Sequence, residues 1–227
     1  MQRILVVAAH PDDEILGCGG TIIEHTKKKD KVGIIIVSEG ISSRSGKEKI
    51  NKEKIKKLHD VSKKISKILG LKFIKFFDFP DNRLDDINQL YVIKKIEQEI
   101  EKFKPDIVYT HHHSDLNIDH KIINNATIVA CRPFPNQTVK KILTFEIPSS
   151  SNWIDFSNSQ FSPNYFVDIT NSIKKKISLL KLYKNEMRPW PHARSIKAIE
   201  SLAYYRGSSN GLRAAEAFHL VRSIKKI

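Results

Sequence analysis

The stretch Ala8-Ala9-His10-Pro11-Asp12-Asp13-Glu14 puts one imidazole and three carboxyls into five positions, directly after the apolar run Ile4-Leu5-Val6-Val7. Acids packed this closely repel one another and waste burial in an ordinary core. At the end of a buried strand they suit a centre that holds a cation and keeps a base beside it. A second stretch, His111 to His120, is rich in His and Asp and ends in Asp119-His120. Together the two offer the nitrogen and oxygen ligands that a divalent metal takes. His10 and Asp13 are three positions apart, so a tight turn after a strand can aim both at one point. Asp119-His120 must arrive from elsewhere in the fold. A His/Asp/His set leaves at least one position open on a zinc ion, and water at such a site ionises near neutral pH. Asp12 lies beside these ligands without being needed among them, which suits it to accept the water's proton.

Plainer readings compete with this one. Asp12 and Asp13 could simply cap a following helix, and His111-His112-His113 could be a surface run. The isolated His25, His59 and His219 read as surface or packing residues. Gly17-Cys18-Gly19-Gly20 lacks the G-x-G-x-x-G spacing of a dinucleotide cradle and indicates only a close backbone turn.

The elements that must position these residues follow from the apolar periodicity. Strands are expected at Ile4–Ala8, Val32–Val37, Phe73–Phe79, Asp106–Thr110, Ile142–Ile147 and Phe166–Ile169. Helices are expected at Gly17–Lys28, Lys47–Leu69, Val92–Phe103, Lys121–Ala130, Ile173–Tyr183 and Ile196–Tyr205. Ser38–Gly46 is rich in Ser and Gly and reads as a loop; Pro133–Val139 and Ser149–Asn164 read as irregular rims. Strands alternating with helices predict an α/β fold, a mostly parallel sheet with helices on both faces. Ligands in such sheets collect at the carboxyl ends of the strands, and both His/Asp stretches fall there.

The chain has 227 residues, 40% of them hydrophobic, enough for one α/β domain spanning 1–227. Its net charge of +14 would suit an anionic partner. The lysines, however, are dispersed (Lys27-Lys28-Lys29, Lys56-Lys57, Lys63-Lys64, Lys174-Lys175-Lys176, Lys225-Lys226) and few aromatics lie among them. They read as solvated helix faces, with no stacking platform for nucleic acid. Cys18 and Cys131 form no CxxC pair, which fits a reducing cytoplasm and small-hydrophobe packing. Met1-Gln2-Arg3 enters a strand at once, so no secretory leader is expected, and no apolar run approaches the ~20 residues of a membrane span.

Ala-His-Pro-Asp-Asp-Glu (Ala9–Glu14) followed by Gly-Cys-Gly-Gly-Thr (Gly17–Thr21) resembles the opening of the PIG-L / LmbE-like family of zinc-dependent de-N-acetylases. The resemblance continues through Phe79-Pro80-Asp81-Asn82-Arg83-Leu84-Asp85 and His111–His120. It resumes at Glu186-Met187-Arg188-Pro189, Pro191-His192-Ala193-Arg194-Ser195, Arg206-Gly207 and Ala215-Glu216-Ala217-Phe218, and so covers nearly the whole chain. It implies a Rossmann-like fold, one Zn2+ or another divalent ion, and hydrolysis of an acetamide, commonly on an N-acetylglucosamine-type sugar. Carried over by residue, it implies His10, Asp13 and His120 as ligands, Asp12 as general base and Glu14 as a support of the loop. Asp119 would orient or tune a catalytic histidine, and Arg83, Asn117 and Arg188 would contact substrate. Some members carry His-Pro-Asp-His where this chain reads Asn117-Ile118-Asp119-His120. The earlier histidine helps there with the oxyanion or leaving group, a task that here shifts to His112 or His113, is left to zinc alone, or is absent. The rival functions are an amidase acting on a larger conjugate and a nucleotide-sugar or anion binder without turnover. Enzymes of this fold often self-associate, so a homo-oligomer is a further expectation.

Overall fold

The computed structural model describes residues 1–41, 43, 52–153 and 160–225. Positions 42, 44–51, 154–159, 226 and 227 lie outside the described residues. With them go part of the expected Ser38–Gly46 loop, the first five residues of the expected Lys47–Leu69 helix, part of the Ser149–Asn164 rim, and Lys226.

The apolar run near the start is the strand β1 (Arg3–Ala8), at the centre of the sheet. β2 (Lys31–Ser38) and β4 (Ile107–His111) flank it in parallel. β3 (Phe73–Phe79) lies parallel outside β2, and β5 (Lys141–Phe145) parallel outside β4. The sheet then finishes with two antiparallel pairings, β5 with β7 (Ala215–Ser223) and β7 with β6 (Tyr165–Asp168). The order is β3-β2-β1-β4-β5-β7-β6 among the described residues. Chain order runs outward in one direction from β1 to β3 and in the other from β4 to β5. The reversal lies between β1 and β4, where a doubly wound sheet opens a crevice at its carboxyl edge.

Burial on both faces explains why the central strands are apolar throughout rather than alternating. Ile4 and Val6 of β1 join one core, together with α1 (Asp13–Lys27), α2 (Lys52–Leu69), α5 (Ile173–Leu180) and α6 (Ile196–Ser208). Leu5, Val7 and Ala9 join the other, with α3 (Gln89–Phe103) and α4 (Ile118–Ala130). The six expected strands and six expected helices are all present, with ends displaced by a few residues. No helix among the described residues is long and apolar enough to cross a membrane.

Two departures from expectation matter for the site. α1 begins at Asp13 rather than Gly17, so Asp13 and Glu14 occupy its first turn, where the positive end of the helix dipole favours acids. The helix also breaks at Cys18 (φ −144°, ψ 24°). The Glu216 carboxylate of β7 accepts the amides of Gly20 (2.8 Å) and Thr21 (2.7 Å) just beyond the break. Lys176 of α5 pairs with Glu216 at 2.6 Å and donates to the Leu16 carbonyl at 2.8 Å. The Gly-Cys-Gly-Gly run thus belongs to a kinked, closely packed helix. The second departure is β7 itself, which the sequence reading missed. Its first four residues are all buried, Glu216 among them, which hides the strand's period-2 pattern.

A Cβ on Gly17 would overlap the ring of Phe145, which is fully buried on β5 and has the His111 ring on another side. Alanine gains ~1 kcal/mol in helix propensity, but overpacking a core costs ~1–3 kcal/mol. The ring has nowhere to retreat, so the overlap should win. Gly17→Ala is expected to lower the urea midpoint, and an unchanged or raised midpoint would contradict this packing.

Candidate metal and catalytic centre

Residues from the ends of β1, β3 and β4 meet at the crevice. His10 and Asp13 lie on the turn that joins β1 to α1, where the Asp13 amide donates to the His10 carbonyl (3.2 Å). His120 and Asp119 lie in the first turn of α4, whose N-terminus is fixed by Asn117: its Oδ1 accepts the amides of Asp119 (2.8 Å) and His120 (3.3 Å). His10 Nδ1, Asp13 Oδ2 and His120 Nε2 form a small triangle. Its edges are 3.1 Å (His10–Asp13), 3.2 Å (Asp13–His120) and 3.4 Å (His10–His120).

The triangle fits a divalent metal on three counts. It offers two nitrogens and one oxygen, a set that zinc favours. Asp13 Oδ1 is buried with no hydrogen-bond partner. And both imidazoles are drawn towards the cationic form. Burial alone would lower the His10 pKa, but the carboxylates of Asp119, Asp13 and Asp81 raise it well above the ordinary value. Burial likewise opposes the cationic form of His120, and Asp13 and Asp115 override it, raising its pKa to about 9. A site that pulls protons onto two histidines is short of positive charge, and a bound metal supplies that charge in their place.

Each ligand imidazole is backed by a carboxylate on its other nitrogen, the arrangement that fixes ring orientation in metal sites. His10 Nε2 lies 3.0 Å from Asp119 Oδ2 and 3.1 Å from Asp81 Oδ1. Asp119 is filled with donors: its Oδ2 also takes the Asn82 amide (2.8 Å) and the Ser38 hydroxyl (3.2 Å), and its Oδ1 takes the Leu84 amide (3.1 Å). Asp119 therefore orients His10 through Oδ2, and with His10 and Asp81 it forms a second buried group whose atoms converge closely enough to hold a metal. His120 Nδ1 lies 3.1 Å from Asp115 Oδ1, an ion-pair distance without hydrogen-bond alignment. Asp115 is gripped in turn by the hydroxyls of Ser150 and Ser151 and by the Asn117 amide.

Asp12 occupies the N-cap position of α1 but makes no side-chain cap bond. Its Oδ2 instead accepts from Arg194 Nη1 at 2.9 Å. The helix-capping reading of Asp12 fails for that reason. Burial raises the Asp12 carboxyl well above the ordinary range, the Arg194 charge opposes the rise, and Asp13, Glu186 and Glu14 reinforce it. Glu14 accepts the Asp12 amide (2.9 Å) and the Tyr183 hydroxyl (2.6 Å), and burial pushes its own carboxyl up to about 7.

His112 and His113 were expected to assist the chemistry, and the structure does not bring them to the centre. His112 Nδ1 pairs with the Ser114 hydroxyl at 2.7 Å, and its ring packs among His113, Phe161 and His219; His113 is exposed. The histidine of that run that does enter is His111. It is fully buried, its ring stacks on His120 at 3.9 Å, and its Nε2 accepts the Ala9 amide at 2.8 Å. Strand alternation held the clue, because His111 shares a face with Ile107 and Tyr109 of β4.

A cleft of about 60 Å³ opens here, lined by His10, Asp12, Asp81, Asn82, Asn117 and Arg194 among others. Arg83 is exposed on its rim, between the two residues whose amides hold Asp119. Asn117 Nδ2 donates to Asn82 Oδ1 at 2.9 Å on the same rim. Arg188 is exposed and its Nη1 donates to the Asn185 carbonyl (2.7 Å); Arg194, from the same C-terminal pattern, is the arginine that reaches the centre. Larger grooves lie at the opposite, amino edge of the sheet, around Lys104, Arg132 and Phe134, with no comparable His/Asp group among the described residues.

The buried His/Asp group and its adjacent carboxylate lie at the switch point of a doubly wound sheet, where such folds place their ligands. Comparison with known proteins supplies the class: the model of the PIG-L family, GlcNAc-PI de-N-acetylase, matches residues 5–131, and the chain belongs to that family of de-N-acetylases. It is 31% identical over 77% of its length to an uncharacterized deacetylase, YaiS, of Escherichia coli, covering 90% of that protein. It is 25% identical over 99% of its length to the diacetylchitobiose deacetylase of Thermococcus kodakarensis, covering 85% of it. The fold is also that of GalB, a 4-carboxy-2-hydroxymuconate hydratase of a Pseudomonas, with TM-score 0.76, 20% identity and full coverage of both chains. A shared fold therefore does not by itself set the chemistry.

Replacing Asp115 with Asn removes the charge behind His120 and leaves the triangle in place. Metal affinity is expected to fall ~10–100-fold, read by competition with a chromogenic chelator. An affinity equal to that of the unmodified chain would show that His120 needs no such support.

Proposed function

We propose that this chain is a metal-dependent hydrolase that removes the acetyl group from an N-acetylated sugar or sugar conjugate of the N-acetylglucosamine type, giving acetate and a free amine. One observation carries the reading. Three donor atoms converge within 3.4 Å of one another, and a buried carboxylate that serves neither as ligand nor as cap stands next to them. Family membership supports the amide as the bond broken, and the diacetylchitobiose deacetylase of T. kodakarensis supports an acetylated amino sugar as substrate.

His10, Asp13 and His120 would hold the metal. When bound, it polarises the acetyl carbonyl and makes water a usable nucleophile near neutral pH, with zinc the ion best matched to this donor set. Asp12 takes the proton from the attacking water, and its raised basicity suits that task. An amide nitrogen leaves poorly as an anion, so it must gain a proton as the C–N bond breaks. Protonated Asp12 is the acid at hand in the cleft, since His112 and His113 lie elsewhere. The described cleft, at about 60 Å³, takes the reacting end of a substrate and leaves the remaining sugar on the rim near Arg83 and Asn117. The guanidinium fork of Arg83 suits sugar hydroxyls or a phosphate there.

The test is a panel of N-acetylated sugars with their glycoside, nucleotide and lipid conjugates, assayed for acetate and amine with and without chelator. Acetate release abolished by chelator is the expected result; release of a bulkier acid, or turnover indifferent to chelator, would refute the proposal. Asp12→Asn should lower turnover by ~10²–10⁴ at unchanged metal content by elemental analysis, whereas His120→Ala should lower the metal content itself.

A further inference from the structure

The segment Pro191–Ser195 carries part of the family pattern, and its arginine has so far no role. We propose that Arg194 is a positioning residue for Asp12, clamping one carboxylate oxygen so that the other faces the reacting atoms. This rests on the reading of Asp12 as the base.

The Asp12 backbone makes such a clamp necessary. Its φ of 121° is a region that non-glycine residues rarely enter, at a cost of ~1–3 kcal/mol. A residue so placed keeps its geometry only if its surroundings hold it. The backbone is held by its own amide, which donates to Glu14 Oε2 at 2.9 Å, and by its carbonyl, which accepts from Ile15 (3.0 Å) and Leu16 (2.9 Å). The carboxylate is held by Arg194 Nη1, 2.9 Å from Oδ2, and no described residue donates to Oδ1.

Arg194 is itself fixed from several sides. Its Nε donates to the Ser149 hydroxyl at 2.8 Å, and its Nη1 lies 3.8 Å from Glu186 Oε2. Its amide donates to His192 Nδ1 at 3.0 Å, and its carbonyl accepts the Arg188 amide at 3.3 Å. The next residue, Ser195, caps α6 by accepting the Ala198 amide at 3.1 Å. The guanidinium therefore stands on a helix start on one side and the segment after β5 on the other. Its planar fork binds Ser149 and Asp12 at once, which a lysine ammonium cannot do with the same directionality. Only about a sixth of the Arg194 side chain is exposed (17%), so it is a wall of the cleft rather than a surface charge.

The experiment compares Arg194→Ala, Arg194→Lys, Asp12→Asn and the double variant Asp12→Asn/Arg194→Ala, each loaded with metal and assayed for acetate release. Misplacing a reacting group by about 1 Å costs roughly 10²-fold, so Arg194→Ala should lose about that in kcat, with KM within about threefold of the parent and metal content unchanged. Arg194→Lys should fall between the two. Because Arg194 acts through Asp12, adding Arg194→Ala to Asp12→Asn should cost less than about threefold more. Guanidinium ion, at a concentration that does not denature, should restore part of the turnover of Arg194→Ala and none of that of Asp12→Asn; such rescue is impossible for a misfolded chain. A double variant that drops by the full factor, or a raised KM at unchanged kcat, would overturn the proposal, the latter making Arg194 a substrate contact. If the unmodified chain releases no acid from any N-acyl substrate, the reading of Asp12 fails first, and this proposal with it.

Discussion

The arrangement turns on one imidazole held from both sides. The Nδ1 of His10 faces Asp13 and His120, while its Nε2 is pinned between Asp119 and Asp81. The ring can serve a metal only while it cannot rotate, and the groups that stop it come from separate parts of the sheet. Asp119 is held by the Ser38 hydroxyl at the end of β2 and by the amides of Asn82 and Leu84 after β3. The Asp81 carboxylate adds a bond to Ser43 beyond β2. The carboxyl ends of β1, β2, β3 and the start of α4 must therefore lie side by side, which is what the order β3-β2-β1-β4 provides.

Charge inside the molecule is opposite in sign to charge outside. The chain carries +14 overall, yet Asp12, Asp13, Glu14, Asp81, Asp115, Asp119 and Glu186 are all buried around the crevice. Arg194 is the arginine bonded directly to that group, and the remaining demand falls on His10 and His120, whose pKa values rise accordingly. Buried carboxylates are tolerated only when paired or hydrogen-bonded, and a cation at the triangle would complete the pairing here. The dispersed lysines play no part in this balance. Lys176 is the exception to the expected solvated faces, since it is buried against Glu216.

Behind the centre, α1 is shaped by packing rather than by propensity. Its first turn carries Asp13 and Glu14, and it breaks at Cys18 so that Gly17 can lie against Phe145. The amides past the break turn to Glu216, and Lys176 balances that carboxylate at the cost of burying an ammonium. The antiparallel strand β7 is thus more than an edge. It supplies the group that lets the helix bend, and Phe145, against the helix at Gly17, meets the ring of His111.

The amino-acid sequence by itself determined the buried strands, the amphipathic helices and the two clusters at the carboxyl edge. Each is written in residues close together in the chain, and burial on two faces leaves an unbroken apolar signature, as in Ile4–Ala8. His10, Asp13 and His120 stood out for the same reason, as ligand types crowded where a core would not place them. Only the tertiary structure decided which groups back them. Asp81, Asp115 and Arg194 lie within the short stretches that carry the family resemblance, but their partners stand from five to nearly two hundred residues away in sequence, and no local pattern names those partners. It also chose His111 over His112 and His113, because strand parity and the Phe145 ring set which imidazole turns inward. It turned Asp12 from a helix cap into the partner of a guanidinium from the far end of the chain, which takes the oxygen that the helix amides do not. A hydrogen bond is chosen by what folding brings near, and that information is spread over the whole chain rather than held in any window of it.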